Sequence, residues 1–197
     1  MLTMEAGPEQ MTHAMRSLEA AFLIGVEGVT EIWLVRHADC YEDMSDGADP
    51  PLSPIGRKQA EALAKRVRAL KPAAVYSSPY LRALETARAI TDNVRVDARL
   101  IEMEMELGDA GELEFKELPA SVIERMSAAI DEIAHAHPSE RVIVVGHGAA
   151  MIMFLTHVLR LDPGQLRFLP YFTSVNVVRV LGDRQMVGVM GDTAHLE

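Results

Sequence analysis

The sequence predicts an α/β protein: a three-layer α/β/α sandwich, with a mostly parallel mixed sheet and helices on both faces. Three observations carry this. Short apolar runs such as "IWLV" at 32–35 and "VIVV" at 142–145 alternate with amphipathic stretches of helical period. The strand centres are continuously apolar, as in strands buried on both faces. The last stretch, "SVNVVRVLGDRQMVGVMGD", reads as a hairpin turning at Gly182-Asp183, which makes the sheet mixed.

The elements follow in order. Residues 1–29 read as an N-terminal extension, helical or flexible, with Met11, Met15, Leu18 and Phe22 near helical spacing over 9–24. A single domain follows at 30–197. "EIWLVRH" is its first strand. Residues 39–53, rich in Asp, Gly and Pro, are a loop. Ser53 and Pro54 are an N-cap and first-turn pair, opening a helix to about 70 whose apolar stripe is Ile55, Ala62, Leu63, Val67 and Leu70. "AAVYSS" at 73–78 is a short strand. Pro79 opens the next helix, with Leu81, Leu84, Ala87 and Ile90 inward. "VRVDARL" is a strand and its exit, and the acidic stretch 101–114 is irregular. A long helix covers 117–136, "RVIVVGH" at 141–147 is a strand, and "GAAMIMFLTHVLRL" is a helix.

Composition narrows the function. At 197 residues and 49% hydrophobic, the chain can bury one sizeable core. The net charge is -10 and no Lys/Arg stripe is present, which argues against a nucleic-acid partner. An anionic substrate would have to be held by local arginines against that field. The single cysteine, Cys40, allows no intramolecular disulfide. No apolar run is long enough to span a bilayer, and the N-terminus lacks a signal-peptide pattern. The expectation is a cytoplasmic protein without membrane partner or cofactor. A homodimer through the N-terminal helix or an edge strand is kept as an option.

In parallel sheets covered by helices, ligands sit beyond the carboxyl ends of the strands. The first strand ends in Arg36-His37. The "AVYSS" strand leads into a helix carrying Arg82, and the "VIVVG" strand ends in His147 followed by Gly148. Glu102, Glu104 and Glu106 follow a fourth strand on the same side. Two guanidiniums bind oxyanions bidentately, which suits a phosphoryl group. A neutral imidazole is a competent nucleophile, and nearby arginines favour the neutral form. The second histidine can donate to an equatorial oxygen. The N–H groups of a helix beginning at Gly148 point at the same anion. A glutamate can protonate the leaving oxygen and then activate water. No metal is required.

These motifs together resemble the histidine phosphatase superfamily, in its phosphoglycerate-mutase-like branch. The resemblance rests on "LVRHAD", "LSPIGRKQA", "VYSSPYLRALETA" and "VVGHGAAM", with a similar tail, "GDTAHL", and spans roughly residues 31–195. It implies that 30–197 is a catalytic domain hydrolysing small phosphomonoesters without a metal. His37 would be the nucleophile that becomes phosphohistidine, and Arg36, Arg82 and His147 would hold the phosphoryl group. The family's spacing to Gly108 selects Glu104 as general acid/base, whereas spacing from Leu100 selects Glu102, kept as the alternative.

The sequence departs from the family at Ala38, where glycine is usual. It departs again in "DCYEDMSD", where Asp39 or Cys40 could face the pocket, and in "GDAGELEF", which lacks the family's tryptophan. A phosphoglycerate-mutase-like phosphotransferase is the nearest rival. Such mutases carry a paired Arg-Arg in a lid, and 105–140 contains only Arg125, with Arg141 beyond. A metal-dependent hydrolase using His37, Asp39 and His147, and a non-catalytic phospho-ligand binding protein, are the readings from other classes.

Overall fold

The computed structural model describes residues 8–41, 49–108 and 112–197, so residues 42–48 of the acidic loop and 109–111 lie outside the described residues. Helix α1 (Pro8–Ala21) precedes β1 (Thr30–Arg36), α2 (Pro54–Arg68), β2 (Ala74–Ser77), α3 (Leu81–Ile90) and β3 (Val94–Val96). Then come β4 (Met105–Leu107), β5 (Leu113–Phe115), α4 (Pro119–Ala136), β6 (Arg141–Gly146), α5 (Gly148–Val158), β7 (Val175–Leu181) and β8 (Arg184–Asp192). Six strands form one sheet in the order β3-β2-β6-β1-β7-β8. The first four run parallel, and β7 and β8 are antiparallel, giving the mixed sheet that the terminal hairpin predicts.

Side chains alternate across the central strands. Ile32, Leu34, Val142 and Val144 pack with Met126, Ile130, Phe154 and Leu155 of α4 and α5. Val35, Ile143 and Val145 pack with Leu63, Val67, Ala83 and Ala87 of α2 and α3 on the opposite face. The layers are therefore α/β/α. Met15 and Leu18 of α1 and Phe22 just beyond it are exposed, while Leu23 is buried. Among the described residues no helix is long and apolar enough to cross a membrane.

Three local readings change. Helix α2 starts as expected, with Ser53 Oγ accepting from the Gly56 N–H at 3.0 Å. Its inward face, however, is Gly56, Gln59, Ala60, Leu63, Ala64 and Val67, and Ile55 points to solvent. The cause is a close approach: a Cβ on Gly56 would lie 1.8 Å from the Asp39 carbonyl oxygen. That contact sets the rotation of the helix. The inward face of helix α3 also differs from the expected one. Ala83, Thr86, Ala87 and Ile90 face inward and Leu81 and Leu84 are half-buried, because Thr86 Oγ1 accepts from the Ala38 N–H at 2.9 Å. The stretch expected to be irregular contains the short β4–β5 hairpin, paired Met105 to Phe115 and Leu107 to Leu113.

Gly56→Ala tests the first of these. Helix propensity alone would stabilise the variant by up to ~1 kcal/mol. Overpacking against backbone costs about 1–3 kcal/mol, occasionally more, so the urea midpoint is expected to fall. A rise would mean that α2 does not meet Asp39 as described.

Candidate active site

The site begins at the last rungs of the parallel ladder. Arg36 pairs with Gly146 and Ser77 with Val145. Beyond them the His37 N–H donates to Gly146 O at 2.9 Å and the Ser78 N–H to Val145 O at 3.0 Å. Sheet hydrogen bonds thus run on into the residues that leave the sheet. They bring Arg36, His37, Ser78 and His147 to one carboxyl edge.

The imidazoles of His37 and His147 lie 5.2 Å apart, centroid to centroid, and are 5% and 1% exposed, so each is shielded from bulk water. His37 Nδ1 lies 2.8 Å from Ala38 O. A carbonyl can only accept, so Nδ1 carries the hydrogen and Nε2 keeps its lone pair. Burial lowers the His37 pKa to about 3; Arg82 and Arg36 add to the lowering, and the Ala38 carbonyl opposes it. His147 lies well below its ordinary value, first through burial, then through His37 and the guanidiniums of Arg82, Arg125 and Arg36. Both rings are neutral near pH 7.

Each guanidinium is held on one side. Arg36 Nη1 donates to Pro170 O at 2.8 Å, and its guanidinium stacks 4.2 Å from the Phe172 ring centroid. Its Nε is buried without a partner. A Cβ on Gly148 would lie 3.3 Å from that atom, so glycine lets the first turn of α5 approach Arg36. Burial lowers the Arg36 pKa, and the Glu102 carboxylate opposes this. Arg82 lies 4.9 Å over the Tyr80 ring and 3.5 Å from Asp49, whose carboxylate also accepts the Leu81 N–H.

His147 Nε2 lies 2.8 Å from Ser78 Oγ, and its Nδ1 is buried and unpartnered. Ser78 Oγ accepts the Tyr80 N–H at 3.3 Å and can donate its own proton to Nε2. In that arrangement Nδ1 carries a hydrogen with no acceptor. Two buried donors, Arg36 Nε and His147 Nδ1, are therefore unpaired around His37. Such orphans are costly, and an oxyanion has the acceptor chemistry that would satisfy them.

The two glutamates separate. Glu102 Oε1 accepts the N–H groups of Met103 and Ala150, each at 2.8 Å, and Oε2 accepts that of Ala149 at 3.2 Å. Its carboxylate therefore caps α5 directly after His147. Glu104 is exposed, and its described bonds are made by backbone: its N–H to Glu117 Oε2, its carbonyl to Lys116 and Glu117. Glu106 is exposed and pairs with Lys116. The structure brings Arg36, His37, Arg82, His147 and Glu102 together and leaves Glu104 outside.

Asp39 is bonded onto the start of α2. Its carbonyl accepts the Ser53 N–H, its carboxylate is bonded to Ser53 Oγ, and its N–H donates to Gln59 Oε1. Cys40 is half-buried in a bridge to Leu52, and burial pushes its thiol up, away from the nucleophilic thiolate. Ser78, Thr86, Asp49, Tyr80 and Phe172 are supporting residues that the sequence did not mark for these roles. Ser78 and Thr86 lie inside "SSPYLRALETA", so that stretch held the signal, whereas Phe172 comes from a loop with no pattern of its own.

The model of the histidine phosphatase superfamily (branch 1) matches residues 32–119 and 108–193. The chain belongs to this superfamily. It is 30% identical over 204 residues to phosphoglycerate mutase-like protein 4 of Arabidopsis thaliana, covering 85% of this chain and 87% of the relative. To the metal-independent phosphoserine phosphatase of the same plant it is 29% identical, with 85% and 84% covered. Among solved structures, Bacillus stearothermophilus YhfR superposes with a TM-score of 0.72 at 28% identity, over 85% of this chain and 100% of that one. A phosphoserine phosphatase variant of Entamoeba histolytica, crystallised with phosphoserine, gives 0.72 at 18% identity, over 85% and 100%, a likeness of fold.

The lowered imidazoles make stability depend on pH. An unfolded histidine binds a proton near its ordinary value of 6.5, whereas folded His37 resists protonation to about 3. In that window the unfolded chain holds the extra proton. Stability is complete above about pH 6.5 and falls as pH drops toward 3, by up to about 1.4 kcal/mol per pH unit for one such group. The urea midpoint of the wild type should therefore fall more steeply between pH 7 and pH 4.5 than that of His37→Gln. Equal slopes would show that His37 titrates normally.

Proposed function

We propose that the protein hydrolyses small phosphomonoesters through a phosphohistidine on His37. The observation that carries this reading is the tautomer of His37: Nδ1–H is tied to the Ala38 carbonyl, leaving a neutral Nε2 between Arg36, Arg82 and His147. Nε2 attacks phosphorus while the two guanidiniums and the unpaired His147 Nδ1–H hold the equatorial oxygens. The first turn of α5 adds its positive end to the same anion. Because the imidazoles start neutral, the dianionic phosphoryl group meets its cations in the arginines.

Glu102 takes the acid/base role in this reading. It lies at the His147 end of the site, and its Oε2 makes only one long bond, so that oxygen has capacity for a proton. In the first step Glu102 protonates the leaving alcohol as the P–O bond breaks and the N–P bond forms. In the second it removes a proton from water as oxygen attacks phosphorus, releasing inorganic phosphate and regenerating neutral His37.

Retention of the phosphoryl group, as in a mutase, is less well supported. Arg125 is engaged with Glu117 and three backbone carbonyls, and Arg141 pairs with Glu31 at the opposite end of β1. Neither is free to hold the acidic half of a phosphoglycerate. Activity also requires the histidines that a non-catalytic phospho-ligand binder could lose, and both are present.

The test is hydrolysis of p-nitrophenyl phosphate at pH 5–7 with and without EDTA. Wild type should turn over in both, and His37→Ala should lose at least ~10³-fold, on the scale of removing an attacking group. Loss of wild-type turnover in EDTA would replace this mechanism with a metal-dependent one. With an alkyl phosphate, Glu102→Gln should lower kcat/KM by about 10²–10⁴-fold, the range of general acid catalysis. Glu104→Gln should stay within about threefold of wild type, since positions away from the reacting atoms change little. The reverse ranking would return the role to Glu104.

A further inference from the structure

Arg125 lies on α4 with only 16% of its side chain exposed, and its charge is among those that lower the His147 pKa. All five of its N–H groups have acceptors. Nε donates to Glu117 Oε1 at 2.8 Å, and Nη2 to Glu117 Oε2 at 2.9 Å. Nη1 donates to the carbonyls of Arg99 and Ile101, both at 2.8 Å, and Nη2 also to the carbonyl of Glu102 at 3.2 Å. One planar fork therefore holds three backbone carbonyls within four successive residues. Glu117, 16% exposed, completes the clamp by accepting the Glu104 N–H through Oε2 and bonding Ser121.

The stretch held in this way carries Glu102. It lies between the turn at Ala98–Leu100 and the short hairpin, so no strand ladder fixes residues 101–103. Leu100 and Met103 are buried and set its depth, but apolar contacts are non-directional and do not fix how far the carbonyls rotate. The Arg125 fork does, because guanidinium donors lie in one plane at fixed angles. Rotating the Ile101–Glu102 peptides would swing the Glu102 side chain off the N–H groups of Ala149 and Ala150.

We propose that Arg125 is a positioning residue for the reaction: locked to Glu117, it fixes the backbone of 99–102 so that the Glu102 carboxyl meets the leaving oxygen. This rests on the reading of Glu102 as the general acid. Arg125 touches neither substrate nor reacting atoms in this account. It acts through the acid, so losing its fork while keeping its charge should matter only where the leaving group needs a proton.

That distinction supplies the test. p-Nitrophenolate leaves as an anion, whereas an alkoxide must be protonated as the P–O bond breaks. We would compare kcat/KM, which reports the steps through phosphoenzyme formation, for p-nitrophenyl phosphate and β-glycerophosphate. Arg125→Lys keeps the charge and reach but loses the planar fork. It should lose about 10- to 100-fold on β-glycerophosphate, a share of the ~10²–10⁴-fold of acid catalysis. On p-nitrophenyl phosphate the loss should stay within about threefold. Glu117→Gln, which leaves the arginine in place and weakens its anchor, should move both values in the same direction by less. Circular dichroism and the urea midpoint identify variants folded at the assay temperature.

If Glu102→Gln is selective for the poor leaving group while Arg125→Lys and Glu117→Gln lower both substrates equally, or neither, the positioning role is overturned and the acid assignment stands. If Glu102→Gln itself shows no selectivity, the acid assignment fails and the role of Arg125 falls with it.

Discussion

Everything in the site depends on the parallel pairing of β1 with β6. That ladder aligns Arg36 with Gly146, and its last rung, His37 N–H to Gly146 O, fixes the first histidine where the chain leaves the sheet. One residue beyond Gly146 stands His147. Two catalytic candidates more than a hundred residues apart are thus placed by a register that buried apolar side chains enforce. A slip of one residue would turn Ile32, Leu34, Val142 and Val144 from one helical layer to the other, so the core that stabilises the fold also aims the imidazoles.

Holding those groups out of water has a consequence for charge. Imidazoles this deeply buried, flanked by guanidiniums, give up their protons, and a neutral ring is what attack on phosphorus requires. Positive charge remains in Arg36 and Arg82, which do not deprotonate. The acidic surface of a chain with net charge -10 is offset locally by these residues and by the first turn of α5. Asp39, the smallest of the charges acting on Arg36, is bonded through its carboxylate to Ser53 at the α2 N-cap and through its N–H to Gln59. Asp49 faces Arg82 and caps α3, so one carboxylate steadies both the arginine and the helix that carries it.

Around this centre the supporting contacts come from distant parts of the chain. Thr173 donates its N–H to the Arg36 carbonyl and has a φ of 59°, a left-handed conformation that a β-branched residue rarely adopts. His195 lies 3.0 Å from the Thr173 hydroxyl, and Asp192 is paired with Arg66 of α2. The tail "GDTAHL" is therefore a brace that ties the end of the chain to the loop behind Arg36. Phe172, on that same loop, covers the Arg36 guanidinium and approaches His37.

The sequence by itself determined the layer order and the edge of the sheet at which Arg36, His37, Arg82 and His147 come together. Those properties follow from local pattern: apolar strand centres, helical periods, and polar residues at the strand ends. The tertiary structure decided the rest. Helix α2 turns Ile55 outward because Gly56 must meet the Asp39 backbone, a contact between segments that no periodicity encodes. Counting to Gly108 selects Glu104 and counting from Leu100 selects Glu102. The fold brings Glu102 to the start of α5, and Arg125 and Glu117, beyond the β4–β5 hairpin in the chain, hold the carbonyls around it. Spacing along a chain specifies a position on a regular element, but between elements only packing and directional hydrogen bonds decide which side chain arrives.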